Sequence, residues 1–194
     1  MRRAGRRVRV RRSGTFELNL PPDERALLAS LPRQLAETLA ELDPHEDVPD
    51  ELRRLFPVAH PRDDQAERTY VSLVRGTLAR EHREALEMLA RTAEATELEA
   101  SELEGWLTAL NDLRLVLGVA LDVTEDPPPP DPEDPRFAEW LCYHYLSLLQ
   151  SEVVEALSDV LPPPRPGADE ELPDDPWGEP PGGLRWDGTE RPDQ

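Results

Sequence analysis

Lysine is absent from this 194-residue sequence, so all 22 basic residues are arginines. Codon bias in a GC-rich genome is the simplest account of that, ahead of any selection for guanidinium chemistry. Cysteine occurs once, at Cys142, which excludes an internal disulfide and a cysteine zinc cage within one chain. Long apolar runs are missing too. The longest, broadly counted from Leu115 to Leu121 with its glycine, is far short of a membrane span. The basic N-terminus lacks the apolar stretch of a signal peptide. These absences lead us to expect a soluble cytoplasmic protein with no membrane partner. No phosphate-binding glycine loop, nucleophile elbow or His-Glu-x-x-His motif occurs. The histidines His45, His60, His82 and His144 are scattered. Glu81, His82, Glu84 and Glu87 lack the Glu-x-x-His spacing of di-iron bundles and read as a solvated helix face. No catalytic residue, metal or cofactor is expected, and no enzyme.

What the chain does have is unevenly spread. Hydrophobic residues make up 38%, below the globular norm, and prolines number 22, but Leu-, Val- and Ala-rich segments alternate with stretches of Pro, Asp and Glu. Only the former can bury enough apolar surface to offset chain entropy. The net charge of −19 is split between an arm, residues 1–12, with seven arginines and no acid, and a remainder with 15 basic and 41 acidic residues, a balance of −26. Such a body repels nucleic acid at long range, so any DNA contact belongs to Arg2, Arg3, Arg6, Arg7, Arg9, Arg11 and Arg12. Two readings of these arginines stand side by side. They form either the charged edge of a strand, needing no partner, or a binding element for phosphates or an acidic protein.

Periodicity predicts the elements. Val8 and Val10 alternate with arginines, Ser13-Gly14 marks a turn, and Phe16, Leu18 and Leu20 alternate with polar residues: a β-hairpin. It needs helices or a second chain to rest on. From Pro22 a helix carries Leu27, Leu28, Leu31, Leu35, Leu39 and Leu42, with Pro32 expected to kink or split it. Residues 49–57 read as a short helix closed by Pro57. The longest helical pattern, 63–95, has a stripe of Tyr70, Leu73, Val74, Leu78, Leu86 and Leu89, with Gly76 as a point of bending. Ser101 and Glu104 suggest a capping box opening a helix to about Leu121. Asp134 and Pro135 are placed to start the last helix. Its stretch "WLCYHYL" reads as core aromatics with hydrogen-bonded tips. The fold class is thus mainly α: a compact helical domain with an N-terminal β-hairpin over residues 1–161, including a flexible basic arm at 1–5 and an acidic Pro-rich loop at 122–134. A disordered acidic Pro-rich C-terminal tail, 162–194, follows.

Within "LNDLRLVLGVALDV" (110–123), Asn111, Asp112 and Arg114 interrupt an apolar helix. Leu103, Trp106, Leu107, Leu110, Leu113, Leu117 and Leu121 share one face while Leu115, Val116 and Val119 cover much of the rest, which predicts a central helix. Asn111 and Asp112 continue the polar side. Arg114 flanks the core face and is expected to be buried and paired with a carboxylate, such as Glu152. The three read as a buried structural cluster. Cys142, between Leu141 and Tyr143, reads as a buried inert thiol, so redox sensing within one chain is not expected.

"WLTALNDLRLVLGVALDVTED", "YHYLSLLQSEVVEAL", "LPPDERALL" and "PDELRRLFP" together resemble an actinobacterial family long described as a domain of unknown function, whose members are called AosR-type oxidative stress transcriptional regulators. The resemblance runs from about residue 6 to 161. It implies a cytoplasmic regulator acting with transcription machinery, encoded near the Clp adaptor ClpS, and carries over no ligand-binding residues. The expected function is a transcription-linked regulator working through protein contacts, with DNA contact through the arm open and a homodimer open. The alternative is an adaptor or scaffold in Clp-type proteolysis that does not touch DNA.

Overall fold

The computed structural model describes residues 6–43, 47–123 and 130–160. The tail at 162–194, the arm residues 1–5 and residues 124–129 of the acidic loop lie outside these segments. Among the described residues, two strands, β1 (Val8–Val10) and β2 (Phe16–Leu18), are followed by helix α1 (Pro22–Glu41), a 3-10 turn (Asp50–Leu52), helix α2 (Asp64–Thr92), strand β3 (Glu97–Leu98), and helices α3 (Ala100–Ala120) and α4 (Phe137–Ser158). The mainly helical class with an N-terminal hairpin holds.

The hairpin pairs Val8 with Leu18, Arg9 with Glu17 and Val10 with Phe16. Gly14 makes its turn at φ +88°, a conformation that side-chain-bearing residues rarely adopt. The third strand, β3, pairs with β2 and completes the antiparallel order β1-β2-β3. It escapes sequence reading because a two-residue strand shows no period. Val8, Phe16 and Leu18 are buried, so the hairpin's apolar face rests on the helices. Arg25 of α1 fastens this corner, donating to the carbonyls of Leu18, Leu20, Ala93 and Ala95.

Pro32 does not split α1. The helix runs through it, with Pro32 itself buried and Leu28, Leu35 and Leu39 anchored in the core on both sides. Apolar burial on either flank outweighs the hydrogen bond that proline cannot make. The helix expected at 49–57 is only the 3-10 turn and the turns after it. The Leu52 N–H reaches the Pro49 carbonyl (2.9 Å) and the Leu55 N–H that of Leu52 (2.8 Å), and this three-residue period buries Leu52 and Leu55 together. Helix α2 passes through Gly76 without a break, but its stripe is core only in its second half: Leu86 and Leu89 are buried, whereas Leu73 is 73% exposed. The capping box sits two residues earlier than predicted, with Glu99 as N-cap and the Glu102 carboxylate accepting the Glu99 N–H (2.9 Å). Helix α4 starts at Phe137 rather than Pro135, because Asp134 uses its carboxylate on the Arg136 N–H (2.8 Å) in a turn before the helix.

Helix α3 is central as its all-round apolar pattern predicts, packing on α1, α2, α4 and the 3-10 turn. Leu103, Trp106, Leu110 and Leu113 are buried. The Trp106 indole N–H donates to Thr92 Oγ1 (2.7 Å), satisfying the one polar atom of the largest core side chain. No helix among the described residues is long and apolar enough to cross a membrane.

Candidate functional site

The three polar residues of α3 do not form one cluster. Asp112 is 1% exposed and faces α2, where its carboxylate accepts a hydrogen bond from His82 Nδ1 (2.7 Å). Asn111 is only half-buried. Arg114 is half-buried on the opposite side, facing α4. Two expectations are corrected here. Asp112 does not continue a polar face: two positions after Leu110 and six after Trp106, it turns toward α2 at the level of His82. Among the described residues Arg114 meets no carboxylate. Its Nε donates to Ser147 Oγ (2.8 Å), its Nη1 to Gln150 Oε1, and its guanidinium lies 5.5 Å from the Tyr143 ring centroid. Neutral acceptors and an aromatic face replace the ion pair expected there. Glu152 is committed elsewhere.

His82 was legible only as part of a solvated stretch, yet its spacing placed it otherwise. It precedes Leu86 by four residues and Leu89 by seven, on the face that packs against α3. Its ring also meets Phe56 edge-to-face at 5.8 Å. Burial works against a charged imidazole, but the Asp112 carboxylate, the nearby Leu55 carbonyl and Glu81 together outweigh it and hold the His82 pKa above the usual 6.5. Burial pushes Asp112 above the ordinary carboxylate value, with His82 offsetting part of the shift. His82 Nε2 is buried without an acceptor in hydrogen-bond geometry. The pair thus joins α2 to α3 beneath the 49–57 segment.

The arm arginines divide into two groups. Arg7 is a hub: its side chain donates to both oxygens of Glu24 on α1 (2.7 and 2.9 Å) and to Glu152 on α4 (3.2 Å), while its backbone N–H also reaches Glu152 (2.5 Å). The hydrogen bonds to Glu24 raise the Arg7 pKa above its already high ordinary value, despite partial burial. Tyr145 donates to the same Glu24 (3.0 Å), and burial followed by that carboxylate raises its pKa. Arg6 pairs with Glu155 (2.6 Å) and Asp159 (3.7 Å), and Arg11 with Glu17 (3.3 Å) and Glu97 (3.8 Å). Arg9 and Arg12 are exposed and meet no acid among the described residues. Arg2 and Arg3 lie outside them. Arg6, Arg7 and Arg11 thus flank β1 and are each paired with carboxylates of the chain itself.

At the start of α4, Trp140 lies 4.0 Å from His144 between ring centroids, and Phe137 stacks on Trp140 at 6.0 Å. The expectation of hydrogen-bonded tips holds for Tyr145 but not for Trp140 Nε1 or His144 Nε2, which are buried without a partner among the described residues. Cys142 is half-buried and free, and burial raises its thiol pKa. A thiol reagent should accordingly label it slowly in the native chain and fast after unfolding. Rapid native labelling, or a peroxide-induced dimer abolished by Cys142→Ser, would refute this. Among the described residues no three His, Cys, Asp or Glu side chains are grouped to hold a metal ion.

Comparison with known proteins places these features in context. The model of a family described as "Domain of unknown function (DUF2017)" matches residues 2–157. A protein of Mycobacterium leprae with the name "Putative oxidative stress regulator AosR" is 31% identical over 125 residues, 62% of this chain and 58% of that protein's length. The chain thus spans little more than half of this relative. No solved structure matches.

Proposed function

Because the chain belongs to the DUF2017 family, we propose that it is a non-enzymatic regulatory protein of the oxidative stress response, acting in the cytoplasm on transcription through contact with a protein of the transcription machinery. The name of the Mycobacterium leprae relative supports the stress-regulatory part. The observation that carries protein contact over DNA reading is the pairing of three arm arginines with the chain's own acids. Arg6, Arg7 and Arg11 are bound to the chain's own carboxylates, and the body behind them is strongly acidic. A polyanion would have to displace those carboxylates and overcome the repulsion of the body. With one half-buried cysteine, the chain is read as responding to stress through its partner, not through an internal disulfide.

The test is the peroxide-induced transcript profile of a deletion strain of the native organism, complemented with the wild-type chain or with Cys142→Ser. Both chains should restore the profile, and the purified protein should not be retained on duplex DNA at moderate salt. An unchanged profile in the deletion strain would defeat the proposal, and co-purification with Clp machinery in that case would favour a proteolytic adaptor. Failure of Cys142→Ser alone to complement would return redox chemistry to the chain itself.

A further inference from the structure

The stripe of α2 that its periodicity marks as core is left open at Leu73, which at 73% is the most exposed large hydrophobic residue among those described. At 3.6 residues per turn, Ala66, Thr69, Tyr70, Gly76, Thr77 and Arg80 all lie within about 60° of Leu73 around the helix. Ala66 and Tyr70 are half-buried and the others exposed. From Ala66 to Thr77 this seam carries no charge, in a chain whose residues are 32% charged. Gly76 adds a second observation. A Cβ there would meet nothing within 4 Å, so the single chain gains no packing from the glycine and forgoes the helix strength that alanine would give. A hollow of about 520 Å³ runs beside the seam, lined in part by His60, Ala66, Tyr70, Leu73 and Val74.

The pattern of the seam is complementary to itself. A two-fold axis at Leu73, with two α2 helices antiparallel, sets Leu73 against Leu73 of a second copy, Thr69 against its Gly76 and Tyr70 against its Thr77. Gly76 then leaves room for Thr69 where the helices come closest. Two exposed charges bound the seam: Arg62, just before the helix, and Glu84, one turn beyond Arg80. The same axis brings Glu84 of each copy level with Arg62 of the other. The contact Glu84 already makes with Arg80 is long (3.7 Å) and solvated, so it yields easily. Two chains of net charge −19 repel each other, which confines self-association to a face that brings no carboxylates together. The seam from Ala66 to Arg80 holds no acid. Asp63 and Glu81 lie about 80° off it, and Asp63 is occupied in capping the N–H groups of Gln65 and Ala66.

We propose that the chain pairs with a second copy of itself through this seam, the two α2 helices crossing antiparallel at Leu73. The second copy covers Leu73, fills the hollow beside Tyr70 and supplies the close approach that Gly76 permits. A contact of about four helical turns on each side is small for a protein interface, so the dimer is weak, with a dissociation constant on the order of 10 µM. This pairing does not depend on the regulatory reading above, since it follows from the surface of α2 alone.

The test is sedimentation equilibrium of the full chain with a thiol reductant present, over a wide concentration range. The wild type should show a reversible monomer–dimer equilibrium. Leu73→Glu, at an exposed position where folding is preserved, should raise the dissociation constant at least about ten-fold, because it buries a charge on the axis. Gly76→Ala should raise the melting temperature of the dilute monomer by strengthening the helix, yet weaken association, an opposition that a purely structural role would not produce. Arg62→Glu and Glu84→Arg should each weaken the dimer about three-fold at low salt, as expected of an exposed ion pair, and the two together should restore it. A chain that stays monomeric at every concentration overturns the proposal. So does a dimer indifferent to Leu73→Glu or Gly76→Ala, or a double swap no tighter than either single one. A dimer that forms only without reductant belongs to Cys142 and overturns it equally.

Discussion

Replacing His82 by leucine should cost about 3–5 kcal/mol of stability, the range seen when one member of a buried ion pair is removed. Asp112 is 1% exposed, and among the described residues His82 is the one group that meets its carboxylate, so the substitution strands a charge in the core. The double variant His82→Leu with Asp112→Val should regain most of that loss, because it also removes the desolvated carboxylate. Urea unfolding of the three chains measures both. A single-variant cost under about 1 kcal/mol would show that the pair is not what joins α2 to α3. The pair also sets a pH dependence. Both pKa values are raised in the folded chain, His82 from 6.5 and Asp112 from 3.8, so the folded state holds these protons more tightly than the unfolded state. The stability that His82 contributes is then complete below about pH 6.5 and is lost as pH rises through its higher folded value. Asp112 has by then already lost its own favourable share. Thermal unfolding of the wild type should weaken from pH 6.5 upward, and Asp112→Asn, which removes the charge that sustains His82, should flatten that fall. An identical slope in the two chains would assign the pH dependence to other groups.

Arg7→Ala should destabilise the fold by about 2–3 kcal/mol, whereas Arg9→Ala and Arg12→Ala should each change it by less than about 0.5 kcal/mol. Arg7 and its two carboxylates are each more than three-quarters shielded, so their pairing is not the weak, screened kind found at a surface. Removing the guanidinium leaves Glu24 and Glu152 with fewer donors and loosens β1 from both α1 and α4. Glu152→Ala should approach the same loss, since it also deprives the Arg7 N–H of its acceptor. Denaturant midpoints of the four chains decide the matter. Equal effects at Arg7 and Arg9 would mean that the arm is a uniform solvated edge, and the network would then carry no stability.

The hairpin, the start of α1 at Pro22 and the central place of α3 follow from the amino-acid sequence alone. Each rests on a local period or on the backbone limits of single residues, as with Gly14 and Pro22. The family was legible in the same way, from the 110–123 stretch and its neighbours, and the matched family model agrees. The partners of the charged residues were not legible. Arg114 and Asp112 stand two positions apart on one helix, and periodicity put Arg114 on the flank of the core face and Asp112 on the polar side, yet which groups lie opposite depends on how α2 and α4 cross α3. Tertiary packing gave Asp112 to His82, left Arg114 with Ser147, Gln150 and Tyr143, and delivered Glu152 to Arg7, 145 positions away. Ion pairing acts over a few ångströms of space and takes no account of chain separation, so a sequence read in windows identifies the charges but cannot match them.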